Sequence, residues 1–91
     1  MAKKVAKEDL DALYQLLADL ETAEECETLL ADLCTNREVE KMAERLRAAK
    51  LLMAGKTYQE VIAATDISSA TLSRISRCIQ YGKGYLEQLK K

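Results

Sequence analysis

Residues 57–75, "TYQEVIAATDISSATLSRI", decide the fold of this 91-residue chain. Thr57 followed three positions later by Glu60 has the form of a capping box, which predicts the start of a short helix. Ser68 or Ser69 offers a hydroxyl cap for a second helix. The joint between the two pieces, "DIS", is too short to be a loop between independent helices. The stretch therefore predicts a helix–turn–helix.

Further details of this motif are predicted from single residues. Asp66 stands at the turn, where a tight helix–turn–helix often needs a positive φ angle, and we expect Asp66 to adopt it. Val61 and Ile62 are expected to anchor the first helix in the core. The apolar arc of the second helix holds Leu72, Ile75, Ser76 and Ile79. The opposite arc holds Ala70, Ser73, Arg74, Arg77 and Tyr81.

The small and basic outer arc is typical of a recognition helix. A helix–turn–helix places the exposed face of its second helix in the major groove of DNA. There hydroxyls reach base edges or phosphates, methyl groups meet thymine, and arginines pair with guanine or phosphate. The expected DNA-binding residues are Lys56, Gln59, Ser68, Ser69, Ala70, Thr71, Ser73, Arg74 and Arg77. The alternative is a plain packing motif whose hydroxyls are ordinary helix caps.

The composition of the chain predicts an all-α protein. It has no proline and only three glycines, which favours helices nearly everywhere. Apolar spacing predicts helices over residues 7–20 and 36–54, a helix capped by Thr22 that runs to about Cys34, and a short last helix in "YLEQLKK". Gly55 is expected to end the third helix in the left-handed conformation that glycine adopts at least cost.

The two halves of the chain differ in charge, although the whole carries a net charge of −1. Residues 1–34 carry three lysines and nine acidic residues, a net of −6, whereas residues 35–91 carry eleven basic and six acidic residues, a net of +5. A basic half is compatible with nucleic-acid binding, and a solvated helical surface is the alternative.

Leucines at helical spacing in the first half favour self-association. They are Leu10, Leu13, Leu17, Leu20, Leu29, Leu30 and Leu33. A homodimer would bury more of them than a monomer that folds a hairpin over them. We expect a single domain over residues 1–91, in which residues 1–34 form dimerisation helices and residues 57–80 form the helix–turn–helix.

The sequence gives little support for a metalloprotein, an enzyme or a membrane protein. The chain has three cysteines without metal-ligand spacing and no histidine, so we expect no metal site and no cofactor. It shows no paired carboxylates, glycine-rich phosphate loop or nucleophile motif, so we expect that it is not an enzyme. No apolar run could cross a bilayer, and "MAKKVAKEDL" lacks the apolar core of a signal peptide. We expect a cytoplasmic protein with no membrane partner.

The stretch "CTNREVEKMAERLRAAKLLMAGKTYQEVIAATDISSATLSRI" resembles the core of the Trp repressor, and the whole chain resembles the small Trp-repressor-like proteins of the YerC/YecD family. A long helix, a glycine, a helix–turn–helix and a Ser/Thr-rich recognition helix come in the same order and spacing. The resemblance implies a Trp-repressor-like helical bundle that forms an intertwined homodimer, with the N-terminal helices of one subunit wrapped around the other. It also implies operator binding in two successive major grooves.

The sequence departs from the Trp repressor at the tryptophan pocket that the resemblance implies. Arg45 and Arg74 match the two arginines of that pocket, and Thr35 matches its threonine. However, Ile75 stands where the family has a glycine that leaves room for the ligand, and Cys78 stands where it has a serine. Cysteine is also a weak acceptor for an ammonium group. We therefore interpret these five positions as a vestigial pocket and expect no small-molecule corepressor.

Together these features predict a sequence-specific transcriptional regulator. It would bind double-stranded DNA as a homodimer through its helix–turn–helix, with repression the favoured outcome and without tryptophan as corepressor. The alternative is a helical protein-interaction module, in which the acidic half binds a basic partner and the helix–turn–helix is only scaffold.

Overall fold

The computed structural model describes residues 3–90, which form helices and no strand. The helices are α1 Lys7–Ala18, α2 Ala23–Leu33, α3 Asn36–Met53, α4 Tyr58–Ala64, α5 Ser69–Tyr81 and α6 Gly84–Leu89. This confirms the all-α prediction, with ends of α1 and α3 that differ by one or two residues from the expected ones. The expected last helix extends to Lys91, which lies outside the described residues. No helix within residues 3–90 is long and apolar enough to span a bilayer.

The chain divides into two compact units, Met1–Asn36 and Arg37–Lys91, near the point where its charge changes sign. The expectation of a single domain over residues 1–91 stays a prediction. In the first unit, Thr22 caps α2 as expected: its side chain accepts the N–H of Glu25, whose carboxylate accepts the N–H of Thr22 and of Glu21. The two helices of this unit hold no buried residue. Leu33, one of the leucines at helical spacing in the first half, is 52% exposed.

The core of the second unit is small and apolar. It consists of Ala48, Ala49, Val61, Ile67, Leu72 and Ile75, with Leu51, Leu52, Ile79, Tyr85 and Leu89 packed against it. The apolar residues that recur at helical spacing along α3 are Val39, Met42, Leu46, Ala49 and Met53. Met42 and Leu46 of this set are exposed, and the buried residues of α3 are the alanine pair Ala48 and Ala49. Small side chains at such a contact leave room for a neighbouring helix to approach.

The end of α3 leads directly into the helix–turn–helix. Gly55 has a φ of +90°, as expected, and its N–H bonds the carbonyl of Leu52 while the N–H of Lys56 bonds the carbonyl of Leu51. These two bonds form a Schellman motif, which reverses the chain in the space of two residues. The sharp stop fixes where α4 can begin.

The turn between α4 and α5 differs from the expectation. No residue other than glycine has a positive φ within residues 3–90, so the prediction for Asp66 is wrong. Thr65 and Ser68 are both extended, and Ile67 lies buried between them. Because the residues at both ends of the link are extended, the chain turns without any left-handed residue. Burial of Ile67 anchors the turn to the core.

Candidate nucleic-acid interface

Helix α5 has one face in the core and one in solvent. Leu72 is fully buried and Ile75 is 2% exposed, while Ser76 and Ile79 on the same arc are half-buried. The residues of the outer arc, Ala70, Ser73, Arg74, Arg77 and Tyr81, are all exposed. The division of the helix into these arcs is therefore as predicted, and the buried arc holds the exposed one in place.

Ser68 caps the start of α5, and it is one of the two residues that were expected to do so. Its side-chain oxygen accepts the backbone N–H of Thr71 at 3.2 Å, and its hydroxyl donates to the Oγ1 of Thr71 at 3.0 Å. Ser69 is the first residue of the helix and is exposed, whereas Thr71 is half-buried. Of the hydroxyls expected to contact DNA, that of Ser68 is already engaged within the protein.

Helix α4 is held by the predicted capping box. The Thr57 side chain accepts the N–H of Glu60 at 3.1 Å, and the Glu60 carboxylate accepts the N–H of Thr57 at 3.0 Å. Val61 is buried as expected, but Ile62 is 41% exposed, because a helix of seven residues has one inward face and Ile62 lies about 100° from Val61. Lys56 and Gln59, two of the expected DNA-binding residues, are both exposed.

The capping box lowers the pKa of the Glu60 carboxyl. The N–H of Thr57, then the Thr57 side chain and more weakly Lys56, hold the pKa of the Glu60 carboxyl below its ordinary value of 4.5. A carboxyl with a lowered folded-state pKa stabilises the fold above its unfolded pKa, and this contribution is lost as the pH falls through the folded value.

We expect Glu60→Gln to lower the melting temperature at pH 7, since glutamine keeps a capping oxygen but loses the charge. The difference from the parent protein should shrink once the pH falls below 4.5 and should disappear when Glu60 is protonated. Thermal melts followed by circular dichroism between pH 7 and pH 3 test this, with Glu40→Gln on the exposed surface of α3 as control. A difference that does not change with pH would contradict the charge effect.

Arg74 and Arg77 on the outer arc of α5 form no ion pair within the part of the chain that the structure describes. The ion pair found within residues 3–90 joins Lys7 to Asp11 on α1. Tyr81 follows these arginines on the same arc and is 83% exposed. Tyr81 was predicted to lie on this arc but was not among the expected DNA-binding residues, although its spacing from Arg74 and Arg77 was a usable signal.

The positions of the expected vestigial pocket lie in different environments. Ile75 is part of the core, Arg45 and Arg74 are exposed, and Thr35 belongs to the first unit. Cys78 is half-buried and lines a cleft of about 480 Å³ whose other walls include Leu46, Tyr85 and Leu89. Neither arginine lines this cleft. Within residues 3–90, no cluster of histidine, cysteine, aspartate and glutamate could hold a metal ion.

Comparison with known proteins identifies the family to which this fold and motif belong. The family model of the Trp repressor protein matches residues 8–91. The chain belongs to the Trp repressor family. It is 38% identical over 84 residues to the uncharacterized protein YerC of Bacillus subtilis (strain 168), a match that covers 92% of this chain and 81% of YerC.

Solved structures agree with this assignment. A Staphylococcus aureus protein described as a candidate Trp repressor is 35% identical, with a TM-score of 0.87 over 93% of this chain and 86% of its own. A TrpR-like protein from Eubacterium eligens is 29% identical, with a TM-score of 0.87 over 92% of this chain and 88% of its own. The resemblance to Trp-repressor-like proteins of the YerC group, and the helical fold that it implies, are thereby confirmed.

Proposed function

We propose that this chain is a sequence-specific DNA-binding transcriptional regulator, with repression the favoured outcome, and that α5 is its recognition helix. The observation that carries the proposal is the exposed outer arc of α5, whose two arginines have no ion-pair partner within residues 3–90. The capped start and buried inner arc of α5 support it, because a rigid helix presents its side chains to the major groove in a fixed register. Membership of the Trp repressor family supports the same reading.

A homodimer is part of this proposal. The helices of the first unit contain no buried residue, and Leu10, Leu16 and Leu17 are all exposed in the single chain. Full burial of one such side chain contributes about 1.5–3 kcal/mol. A second copy offers the same apolar faces, and the net charges of −6 and +5 on the two halves are complementary between copies. A two-fold dimer would place its recognition helices about 34 Å apart, one turn of DNA.

Selection of bound duplexes from a random DNA library, at near-physiological salt, tests both parts of the proposal. The expected result is a palindromic motif with half-sites one helical turn apart, bound with an affinity that falls steeply as salt rises. Absence of any enriched motif, together with no salt-sensitive binding to bulk DNA, would overturn the proposal.

We further propose that binding needs no tryptophan. Ile75 is packed among core side chains, including Ala48 and Leu72, so a core side chain occupies the position where the Trp repressor has the glycine that leaves room for its ligand. L-tryptophan is therefore expected to change neither DNA affinity nor melting temperature, whereas a ligand that binds the folded state must raise the latter. A titration of both quantities checks this, with L-alanine as control, and a saturable rise with tryptophan alone would contradict it.

The alternative function, a protein-interaction module, is favoured by the acidic first unit. An open cleft of about 560 Å³ there is lined by the capping-box residues Thr22 and Glu25, by Glu24 and Asp32, and by apolar Leu20 and Leu29. Such a surface suits a basic, partly apolar partner. Steep salt dependence of DNA binding by the purified protein separates the two functions, because phosphate contacts release counterions.

A further inference from the structure

The first turn of α5 contains a pair of hydroxyl side chains that are joined to each other. We propose that Ser68 is a positioning residue, which sets the hydroxyl of Thr71 as a hydrogen-bond donor toward an acceptor on DNA. This inference rests on the proposed function and deepens it, because it states which hydroxyl in the first turn of α5 contacts DNA and that this hydroxyl is the hydrogen-bond donor.

The geometry forms a short chain of hydrogen bonds. The N–H of Thr71 donates to Ser68 Oγ at 3.2 Å, and the Ser68 hydroxyl donates to Thr71 Oγ1 at 3.0 Å. A hydroxyl that accepts a hydrogen bond becomes a better donor, because each bond polarises the next. The sequence of donors runs from the backbone through Ser68 and ends at the Thr71 hydroxyl.

The Thr71 hydroxyl is thereby left to act as a hydrogen-bond donor. Its oxygen accepts from Ser68, and no acceptor within residues 3–90 takes its hydrogen. The partner that it needs is an acceptor, and DNA supplies acceptors as phosphate oxygens and as the N7, O6 and O4 atoms of the major groove. The amino groups of cytosine and adenine are donors and do not meet this need.

The other capped helices support a role at the DNA surface. Thr22 and Thr57 are each followed three residues later by a glutamate that completes a capping box. At the same position α5 has Thr71, and its first turn contains no acidic residue. A glutamate there would serve the helix equally well but would place a negative charge against the phosphates. The Ser68–Thr71 pair caps the helix without that charge.

A double-mutant cycle tests the inference with the full chain and the duplex recovered from the library selection. Ser68→Gly removes the hydroxyl yet keeps a residue that caps helices well, so it should change the melting temperature little. Thr71→Val removes the donor but keeps the shape and the backbone N–H. We expect each change to weaken DNA binding about five- to tenfold, which corresponds to the free energy of one hydrogen bond. The double variant should bind no more weakly than Thr71→Val alone.

Two further variants serve as controls. Ser68→Thr keeps both hydrogen bonds and should retain DNA affinity within about twofold. Thr71→Glu completes a capping box, so it should preserve or raise the melting temperature while DNA binding falls more than about tenfold by charge repulsion.

The outcomes separate this inference from the proposed function. If Ser68→Gly weakens DNA binding by the same factor whether residue 71 is threonine or valine, Ser68 acts only as a helix cap. The inference then fails. If Ser68→Gly leaves affinity unchanged, the inference fails as well. If the parent protein binds no duplex, or if Thr71→Glu leaves binding intact, it is the proposed DNA-reading role of α5 that fails.

Discussion

Replacement of both Arg74 and Arg77 by alanine is expected to lower DNA affinity at least about a hundredfold, which makes it the largest functional effect that the interface predicts. Both side chains are exposed on the outer arc of α5, and neither forms an ion pair within the described residues. Their charges are therefore available to guanine edges or phosphates, and their removal takes nothing from the core. Equilibrium binding to the selected duplex, measured over a range of salt concentrations, gives the result.

The control for this variant is Lys50→Ala on α3, which removes one exposed cation that is not part of the helix–turn–helix. It should leave sequence-specific affinity nearly unchanged. Circular dichroism of the arginine variant should show unchanged helicity, and its DNA affinity should fall less steeply with salt, because fewer phosphates are neutralised by the protein. Unchanged affinity after each single arginine replacement would remove α5 from the role of recognition helix.

Leu72→Ala is expected to have the largest effect on stability, a loss of about 2–5 kcal/mol. Leu72 is fully buried and lies in the cluster that joins α5 to Val61 of α4 and to Ala48 and Ala49 of α3. Truncation leaves a cavity in a core that contains six buried residues within residues 3–90. Since small domains are stable by about 5–15 kcal/mol in total, the loss is a large fraction of the whole. Chemical denaturation measures it directly.

Two controls on the same helix make this prediction specific. Leu72→Met nearly conserves volume and should cost less than about 1.5 kcal/mol, while Ser73→Ala on the exposed arc should stay within about 0.5 kcal/mol of the parent. A loss below about 1 kcal/mol for Leu72→Ala would mean that this cluster does not hold the helix–turn–helix together.

The starts and stops of the helices were predictable because the forces that set them act over a few residues. Thr22 and Thr57 each cap a helix through a glutamate three positions on, and Gly55 ends α3 at a φ of +90°. Gly82 follows α5 in an extended conformation, where a side chain would meet the carbonyl oxygen of Cys78 at 2.6 Å. Each of these interactions lies within four residues along the chain.

The turn and the burial of single apolar residues were predicted less well. Asp66 was expected to supply a positive φ, but extended residues at Thr65 and Ser68 make the turn instead. Ile62 was expected in the core, where Val61 alone fills the inward face of α4. In both cases the outcome depends on packing against the core, which local sequence patterns do not reveal.

The sequence alone determined that the chain is helical, where most helices begin, and which arc of α5 faces solvent, because hydrogen bonds within a turn and the 3.6-residue period are local properties. Only the tertiary structure decided that α3 meets the core through Ala48 and Ala49 rather than through Met42 and Leu46. It also decided that Ser68 is bonded to Thr71 rather than free. The physical reason is that periodicity tells which face of a helix is apolar, whereas the position of its neighbours decides which part of that face is covered.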